Sequence, residues 1–259
     1  MTVSLKDQCV LITGASSGIG KSCARFFANA GTRLILVARR KEKLQQLSDE
    51  LQQTNQTQTL LLGADVQDRQ AITTAIAGLP TDWKAIDVLI NNAGLSRGLD
   101  KQYEAPIQDW EEMIDTNIKG LLYVSRAVVP GMVARKQGHV VNVGSIAARQ
   151  TYAGGSVYCA TKAAVKALSE GLKIDLLGTP VRVTNIEPGL VETEFSNVRF
   201  RGDDDKANSV YDGMTPLTPE DIADTILFAV TRPAHVNISE IFVMPTDQSS
   251  VVHVHRKTI

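Results

Sequence analysis

Tyr158 and Lys162 stand four residues apart in a stretch, Val157–Leu177, patterned as a helix. That spacing sets both side chains on one helix face. A phenol titrates at about 10, too high to act as a base at neutral pH. A nearby ammonium favours the phenolate and lowers that value. Ser145 follows a strand-like run, Val140–Gly144, and its hydroxyl can donate to an oxygen on which charge develops. Together the three can exchange a proton with a substrate hydroxyl while hydride leaves the adjoining carbon. Taken singly, each has a bland reading: an amphipathic tyrosine, a surface lysine and a turn serine.

Hydride needs an acceptor, and the N-terminal region supplies a place for one. The first strand candidate runs into Thr13-Gly14-Ala15-Ser16-Ser17-Gly18-Ile19-Gly20 and then a helix. Glycines permit a tight turn and close backbone approach to a pyrophosphate. The helix start offers unpaired N–H groups and a positive dipole end. The spacing G-x-x-x-G-x-G is a variant of the dinucleotide fingerprint G-x-G-x-x-G, and a ligand-free βα turn is the competing reading. The second strand ends at Ala38, where enzymes using NAD commonly carry an acid for the ribose hydroxyls. Here Arg39, Arg40 and Lys41 follow, close to a helix N-terminus that disfavours cations. A phosphate would account for them, since arginine forks onto phosphate oxygens. The pattern points to NADP, with Arg39 as main contact and Arg40 as a further candidate. A solvated basic cluster is the alternative.

These residues need elements to hold them. Apolar, β-branched runs recur at Cys9–Thr13, Arg33–Ala38, Thr59–Gly63, Ile86–Asn91, His139–Gly144, Val181–Ile186 and Ile241–Met244. Helical patterns lie between them, at Ile19–Ala30, Lys41–Gln53, Arg69–Gly78, Ile107–Ala134, Val157–Leu177 and Pro219–Val230. Nearly continuous apolar strands suit a parallel sheet covered on both faces. The alternation predicts an α/β fold: a doubly wound, Rossmann-like parallel sheet of about seven strands with helices on both faces. No repeat or linker divides residues 1–259, so one domain is expected. Ser96–Ala105 and Leu190–Thr218 interrupt the rhythm. The longer one follows a strand's C-terminal end, where open α/β sheets bind ligands, and reads as a substrate lid.

The 259 residues are 43% hydrophobic and 21% charged, with 27 Lys+Arg against 28 Asp+Glu. That balance argues against a nucleic-acid binder and leaves any anion site to local groups. No apolar run reaches the roughly 18 residues of a membrane span. Met1–Asp7 is polar and does not read as a signal peptide. Cys9, Cys23 and Cys159, odd in number and widely spaced, suggest neither a disulfide framework nor a zinc cluster. A reducing cytoplasmic location is expected, and no metal. Cys159 adjoins Tyr158, but helix neighbours point about 100° apart, so a small buried residue is the expectation. His253 and His255 read as surface or strand residues.

Taken together, Thr13–Gly20, Asn91-Asn92-Ala93-Gly94, Asn117, Ser145, Tyr158-Cys159-Ala160-Thr161-Lys162 and Pro188-Gly189 resemble the short-chain dehydrogenase/reductase family over essentially the whole chain. The resemblance implies roles residue by residue. Ser145, Tyr158 and Lys162 would be catalytic, with Asn117 holding a water that links Lys162 to solvent. Gly14, Ser16, Ser17, Gly18, Ile19 and Gly20 would receive the cofactor, with Asp65 and Val66 at its adenine. Asn91, Ala93 and Gly94 would line its cleft. Lys162 would also bind the nicotinamide ribose. Pro188, Gly189 and Val191 would bind the cofactor too, and Thr193 would touch its carboxamide or pyrophosphate. The segments Tyr152–Gly155, Glu187–Phe200 and Pro233–Ile238 are similar to one subgroup, the NADP-dependent 3-hydroxy acid dehydrogenases. Its members act on serine, L-allo-threonine and related 3-hydroxy acids, reduce malonic semialdehyde, and form homotetramers.

A 3-hydroxy acid brings a carboxylate, which needs a cation or several donors once removed from water. Arg97, Arg149, Arg199 and Arg201 are the cations near strand ends. Arg199 or Arg201, in the lid, is the expected anchor, against the alternative of solvated arginines balanced by Asp203–Asp205. Two other functions remain. A broad carbonyl or 3-oxoacyl reductase would need an apolar cleft under the lid. A non-catalytic NADP-binding module would lack Ser, Tyr or Lys, all of which are present.

Overall fold

The computed structural model describes residues 3–257. Seven strands form one parallel sheet in the order β3-β2-β1-β4-β5-β6-β7. They are β1 (Cys9–Thr13), β2 (Arg33–Ala38), β3 (Thr59–Gly63), β4 (Val88–Asn91), β5 (Gly138–Val143), β6 (Val181–Pro188) and β7 (Glu240–Val243). The expected strands are all present, their ends moved by at most two residues. Every residue of β1 is buried because helices cover both faces.

Alternation along each strand sorts the core into two layers. Val10, Ile12, Leu34 and Leu36 pack with Phe27 of α1 (Gly18–Asn29), Leu44 and Leu47 of α2 (Lys41–Asn55) and Ile222 of α9 (Pro219–Val230). Cys9, Leu11, Ile35 and Val37 face the other way. They meet Ile72 of α3 (Arg69–Ala77), Val124 and Met132 of α5 (Leu121–Arg135) and Leu176, just past α6 (Ser156–Asp175). Phe27 is fully buried, so truncating it to alanine costs on the order of 3–5 kcal/mol.

One expected helix is two. The apolar periodicity of 107–134 is real, but α4 (Ile107–Ile114) passes through a π-helical segment, Asp115–Gly120, before α5 begins. Wider turns of this kind recur at functional sites, and this one carries Asn117. Gly120 lies against Val66, where a Cβ would stand 2.7 Å from the valine methyl. The 190–218 region is folded too. It holds α7 (Phe195–Arg199) and α8 (Asp204–Ser209). Tyr211 bonds Ser196 Oγ at 2.8 Å and donates to the Val191 carbonyl at 2.9 Å, closing the segment on itself. No helix among the described residues is long and apolar enough to cross a membrane.

Candidate active site

The strand order reverses between β1 and β4, and a cleft of about 460 Å³ opens beyond the C-terminal ends of the strands. One end is built for an anion. Gly14 (φ +66°) and Gly18 (φ +51°) take left-handed conformations that favour glycine. A Cβ at Gly14 would stand 2.8 Å from Asn92 Nδ2, and one at Gly20 would collide with the Gly14 carbonyl. Gly20 is therefore buried under the turn rather than lining the cleft, which Gly14, Ser16, Ser17, Gly18 and Ile19 do. Ser17 gives α1 no side-chain cap, leaving its first N–H groups for an anion.

Asn91 departs from expectation. Its side chain turns into the core, donating to Ser125 Oγ at 3.0 Å and Asn142 Oδ1 at 2.9 Å. It does not line the cleft; Asn92, Ala93 and Gly94 do. Asn92 Nδ2 donates to the carbonyls of Thr13 (3.0 Å) and Gly14 (3.3 Å), tying the glycine turn to the β4 end.

Arg39, Arg40, Asp65 and Val66 stand along the same end of the cleft. The two arginines differ in order. Arg40 is held by Ser16 Oγ (3.3 and 3.1 Å from Nε and Nη2) and Ser17 Oγ (2.7 Å). Arg39 is 63% exposed and leans on Asp65 at 3.5 Å. Expectation ranked Arg39 first; it is Arg40 whose guanidinium is fixed. Two cations with Ser16, and no carboxylate at the β2 end itself, fit a dinucleotide bearing an additional phosphate.

The other end holds the proton-transfer groups. Tyr158, at the start of α6, is buried beside Phe195, with ring centroids 5.8 Å apart. Ser145, just beyond β5, lines the same cleft as its phenol, its oxygen accepting from Ala147 N at 3.1 Å. Lys162 is buried one turn on, donating to the Val143 carbonyl at 2.9 Å, with Nζ 5.9 Å from the Tyr158 ring centroid. Burial lowers Lys162 to about 8. Burial also pushes Tyr158 well above its ordinary value, and Tyr152 adds to this, while the Arg199 charge and the Ser145 hydroxyl oppose it. The charge that opposes burial is that of Arg199 and not, as expected, the Lys162 ammonium, and desolvation outweighs it. The phenol is protonated at neutral pH and suited to give its proton to a carbonyl oxygen.

Asn117 is buried, its oxygen accepting from Leu95 N (2.9 Å) and its amide donating to Leu95 O (2.8 Å) and Thr161 Oγ1 (3.0 Å). Both amide hydrogens are spent on protein, so the side chain braces the Gly94–Leu95 turn. Gly94 has no Cβ to crowd Asn117 Oδ1 or Lys162 Nζ, which would lie 3.3 and 3.6 Å from one. Pro188, Gly189, Val191 and Thr193 line the cleft beyond β6, as expected.

The lid separates its two arginines. Arg199 enters the cleft. Its guanidinium lies 5.4 Å from the Tyr158 ring centroid and 5.5 Å from that of Phe195, and Nη2 donates to Tyr152 Oη at 2.9 Å. Its Nε is buried without a partner. Arg201 does not line the cleft; it pairs with buried Asp109 of α4. Arg97 pairs with Glu112 (2.6 Å) and also donates to the Val198 carbonyl, while Arg149 pairs with Glu187 (2.6 Å) and Glu240. Of the four arginines considered, Arg199 alone offers the cleft an unpaired donor. Sequence reasoning assigned no role to Phe195, Val198 or Tyr211, which wall the same space. Their signal was only membership of the lid. Cys159 is buried beside Tyr158, its thiol against the Gln150 carbonyl, as a packing residue.

The arrangement can hold a dinucleotide phosphate at one end. At the other it can polarise an oxygen through Ser145, protonate it from Tyr158, and pair a carboxylate with Arg199. Its likeness to known proteins agrees. Residues 8–204 match the family model described as short chain dehydrogenase. An NADP-dependent 3-hydroxy acid dehydrogenase of Salmonella typhimurium is 53% identical over 249 residues, covering 95% of this chain and 99% of that protein. One of Schizosaccharomyces pombe is 47% identical over 254 residues, covering 98% of each. A closed form of serine dehydrogenase complexed with NADP+ superposes with a TM-score of 0.90 at 50% identity, covering 96% of this chain and all of that one. The chain belongs to the short-chain dehydrogenase family.

Proposed function

We propose that this chain is an NADP-dependent oxidoreductase. It moves hydride between NADP and the hydroxyl-bearing carbon of small 3-hydroxy acids such as L-serine, L-allo-threonine and 3-hydroxypropionate. The observation that carries the substrate class is Arg199: a guanidinium inside the cleft, against Tyr158, with a buried and unpaired Nε. A carboxylate there would satisfy that donor and neutralise the charge, whereas a neutral ketone would leave it unpaired. The similarity to 3-hydroxy acid dehydrogenases supports the same reading.

Tyr158 acts as general acid towards a carbonyl oxygen and, in the reverse direction, as general base towards a hydroxyl. Ser145 holds that oxygen by a hydrogen bond that strengthens as charge grows on it. Lys162 and Arg199 add positive charge that favours the phenolate when the hydroxyl is oxidised. NADP, when bound, supplies or accepts the hydride. Asn117 keeps the Gly94–Leu95 turn and α6 in register. The lid excludes water from the reacting groups.

The resemblance to the 3-hydroxy acid dehydrogenase subgroup supports self-association, which we assign as a homotetramer. Three buried free cysteines are consistent with a reducing, cytoplasmic setting.

Initial rates followed by nicotinamide absorbance test the proposal. L-Serine, L-allo-threonine, 3-hydroxypropionate and a simple secondary alcohol are each assayed with NADP+ and NAD+. Turnover of the acids with NADP+, and little of the alcohol, is expected. Activity confined to the alcohol would discard the carboxylate anchor while keeping the family chemistry.

A further inference from the structure

The lid helix α7 is fastened at both ends by different parts of the molecule. At its C-terminal end, the Gly98 amide donates to the Arg199 carbonyl at 3.0 Å and Arg97 donates to that of Val198. At its N-terminal end stands Glu194, whose own carbonyl accepts from Val198 N at 3.0 Å. The Glu194 carboxylate reaches across the cleft mouth. One oxygen meets Arg40 Nη1 at 2.8 Å, and the other meets Lys43 Nζ at 2.8 Å. Desolvation raises the Glu194 carboxyl, but the two cations outweigh it and hold it below its ordinary value.

Arg40 uses different atoms on its two sides. Nε and Nη2 rest on the Ser16 and Ser17 hydroxyls, while Nη1 goes to Glu194. A guanidinium is a rigid fork, so one edge can meet a phosphate while the opposite nitrogen keeps a carboxylate. Lys43 supplies a second positive charge, so Glu194 and a phosphate dianion need not repel across a single cation.

We propose that Glu194 is a positioning residue that latches α7 to the phosphate-binding arginine. Through it, NADP's extra phosphate orders the helix that carries Arg199. The proposal rests on the NADP-dependent 3-hydroxy acid reading. Discrimination between NADP and NAD then appears twice, in cofactor affinity and in the grip on the acid. An anion bound at Arg40 holds the guanidinium more firmly than the two serine hydroxyls alone, and with it Glu194 and the N-terminal end of α7. NAD has no such phosphate and leaves Arg40 held only by the Ser16 and Ser17 hydroxyls and by Glu194 itself.

Hydrogen exchange of the amides of α7 and the turn that follows it, residues 195–201, reads the latch without turnover. In the wild type, saturating NADP+ is expected to slow exchange there more than saturating NAD+ does. In Glu194→Gln that difference disappears, while NADPH affinity by nucleotide fluorescence moves less than about threefold. Glu194→Asp, which keeps the charge on a shorter stem, retains part of the difference. In rate assays at saturating NADP+, Glu194→Gln raises KM for the 3-hydroxy acid about three- to tenfold with little change in kcat. That is the scale of two partly exposed ion pairs, and it shrinks in 0.5 M salt, roughly three times the ~0.15 M at which the Debye length is ~8 Å. Equal α7 protection by the two cofactors in the wild type would overturn the latch. So would a Glu194→Gln variant that keeps the wild-type difference, or one whose defect lies wholly in NADPH affinity. If no hydroxy acid is turned over by the wild type, the substrate reading fails, and hydrogen exchange still decides the latch.

Discussion

Arg199→Met removes the guanidinium while keeping an apolar stem of similar reach. The Arg199 charge sits 5.4 Å from the Tyr158 ring centroid, with one bond to Tyr152 and an unpaired buried Nε. Truncating one partner of a desolvated, hydrogen-bonded charge pair costs about 2–5 kcal/mol. Arg199 is only partly buried, so the lower part of that range, about 2–4 kcal/mol, applies. At about 1.4 kcal/mol per decade, kcat/KM for a 3-hydroxy acid falls roughly 30- to 700-fold. The same charge also opposes the burial that raises the Tyr158 phenol, so losing it slows every substrate by a common factor. A neutral secondary alcohol measures that factor. The ratio of acid to alcohol kcat/KM isolates the anchor and is expected to drop by at least about tenfold, while Arg201→Met leaves it unchanged. An Arg199→Met ratio within about threefold of wild type, or a larger effect at Arg201, would refute the assignment.

Tyr158→Phe removes the proton donor and little else. Turnover is expected to fall by at least about 10³-fold with NADPH affinity nearly unchanged, and substantial residual kcat would overturn its role. Arg40→Ala should weaken NADP binding by about 10- to 100-fold and NAD binding hardly at all, as loss of charge-assisted bonds to phosphate requires. Arg39→Ala should do less, because Arg39 is mostly exposed and leans on Asp65; titrations of both variants with both cofactors rank them. Buried His139 bonds Thr184 at 2.7 Å, and burial lowers its pKa to about 3, with the Arg182 charge adding to it. Between the unfolded value of about 6.5 and that folded value the unfolded chain binds the extra proton, so this contribution is full above pH 6.5 and is lost as pH falls. From pH 7.5 to 5 the loss is about 2 kcal/mol. Urea unfolding should show it in the wild type and not in His139→Val, and equal pH slopes would contradict it.

Much of this protein is legible in its residues because the signals are local. Strands buried on both faces must be continuously apolar, so β1 and β2 could be read to the residue. A left-handed turn favours glycine whatever surrounds it, so Gly14 and Gly18 mark the anion end without any fold in view. A four-residue spacing sets Tyr158 and Lys162 on one face as soon as a helix forms. What stayed hidden depends on contacts between distant segments. The π turn at 115–120 breaks an unbroken apolar periodicity, and its Asn117 is held by Leu95 and Thr161, 22 and 44 residues away. Strand parity at the β4 end sends Asn91 to Ser125 in the core and leaves Asn92 at the cleft.

The lid shows the division most plainly. Composition and position alone pointed to a cation from this segment as the carboxylate anchor and left solvated arginines balanced by Asp203–Asp205 as the alternative. Arg199 and Arg201 are the same residue type two positions apart, so no local rule separates them. The choice is made by Asp109, 92 residues away in sequence, which takes Arg201, and by Tyr152 and Tyr158, which receive Arg199. Backbone preferences and apolar periodicity act over a few residues and are written into the chain directly. Charge pairing acts through space, and only the folded molecule decides which charges meet.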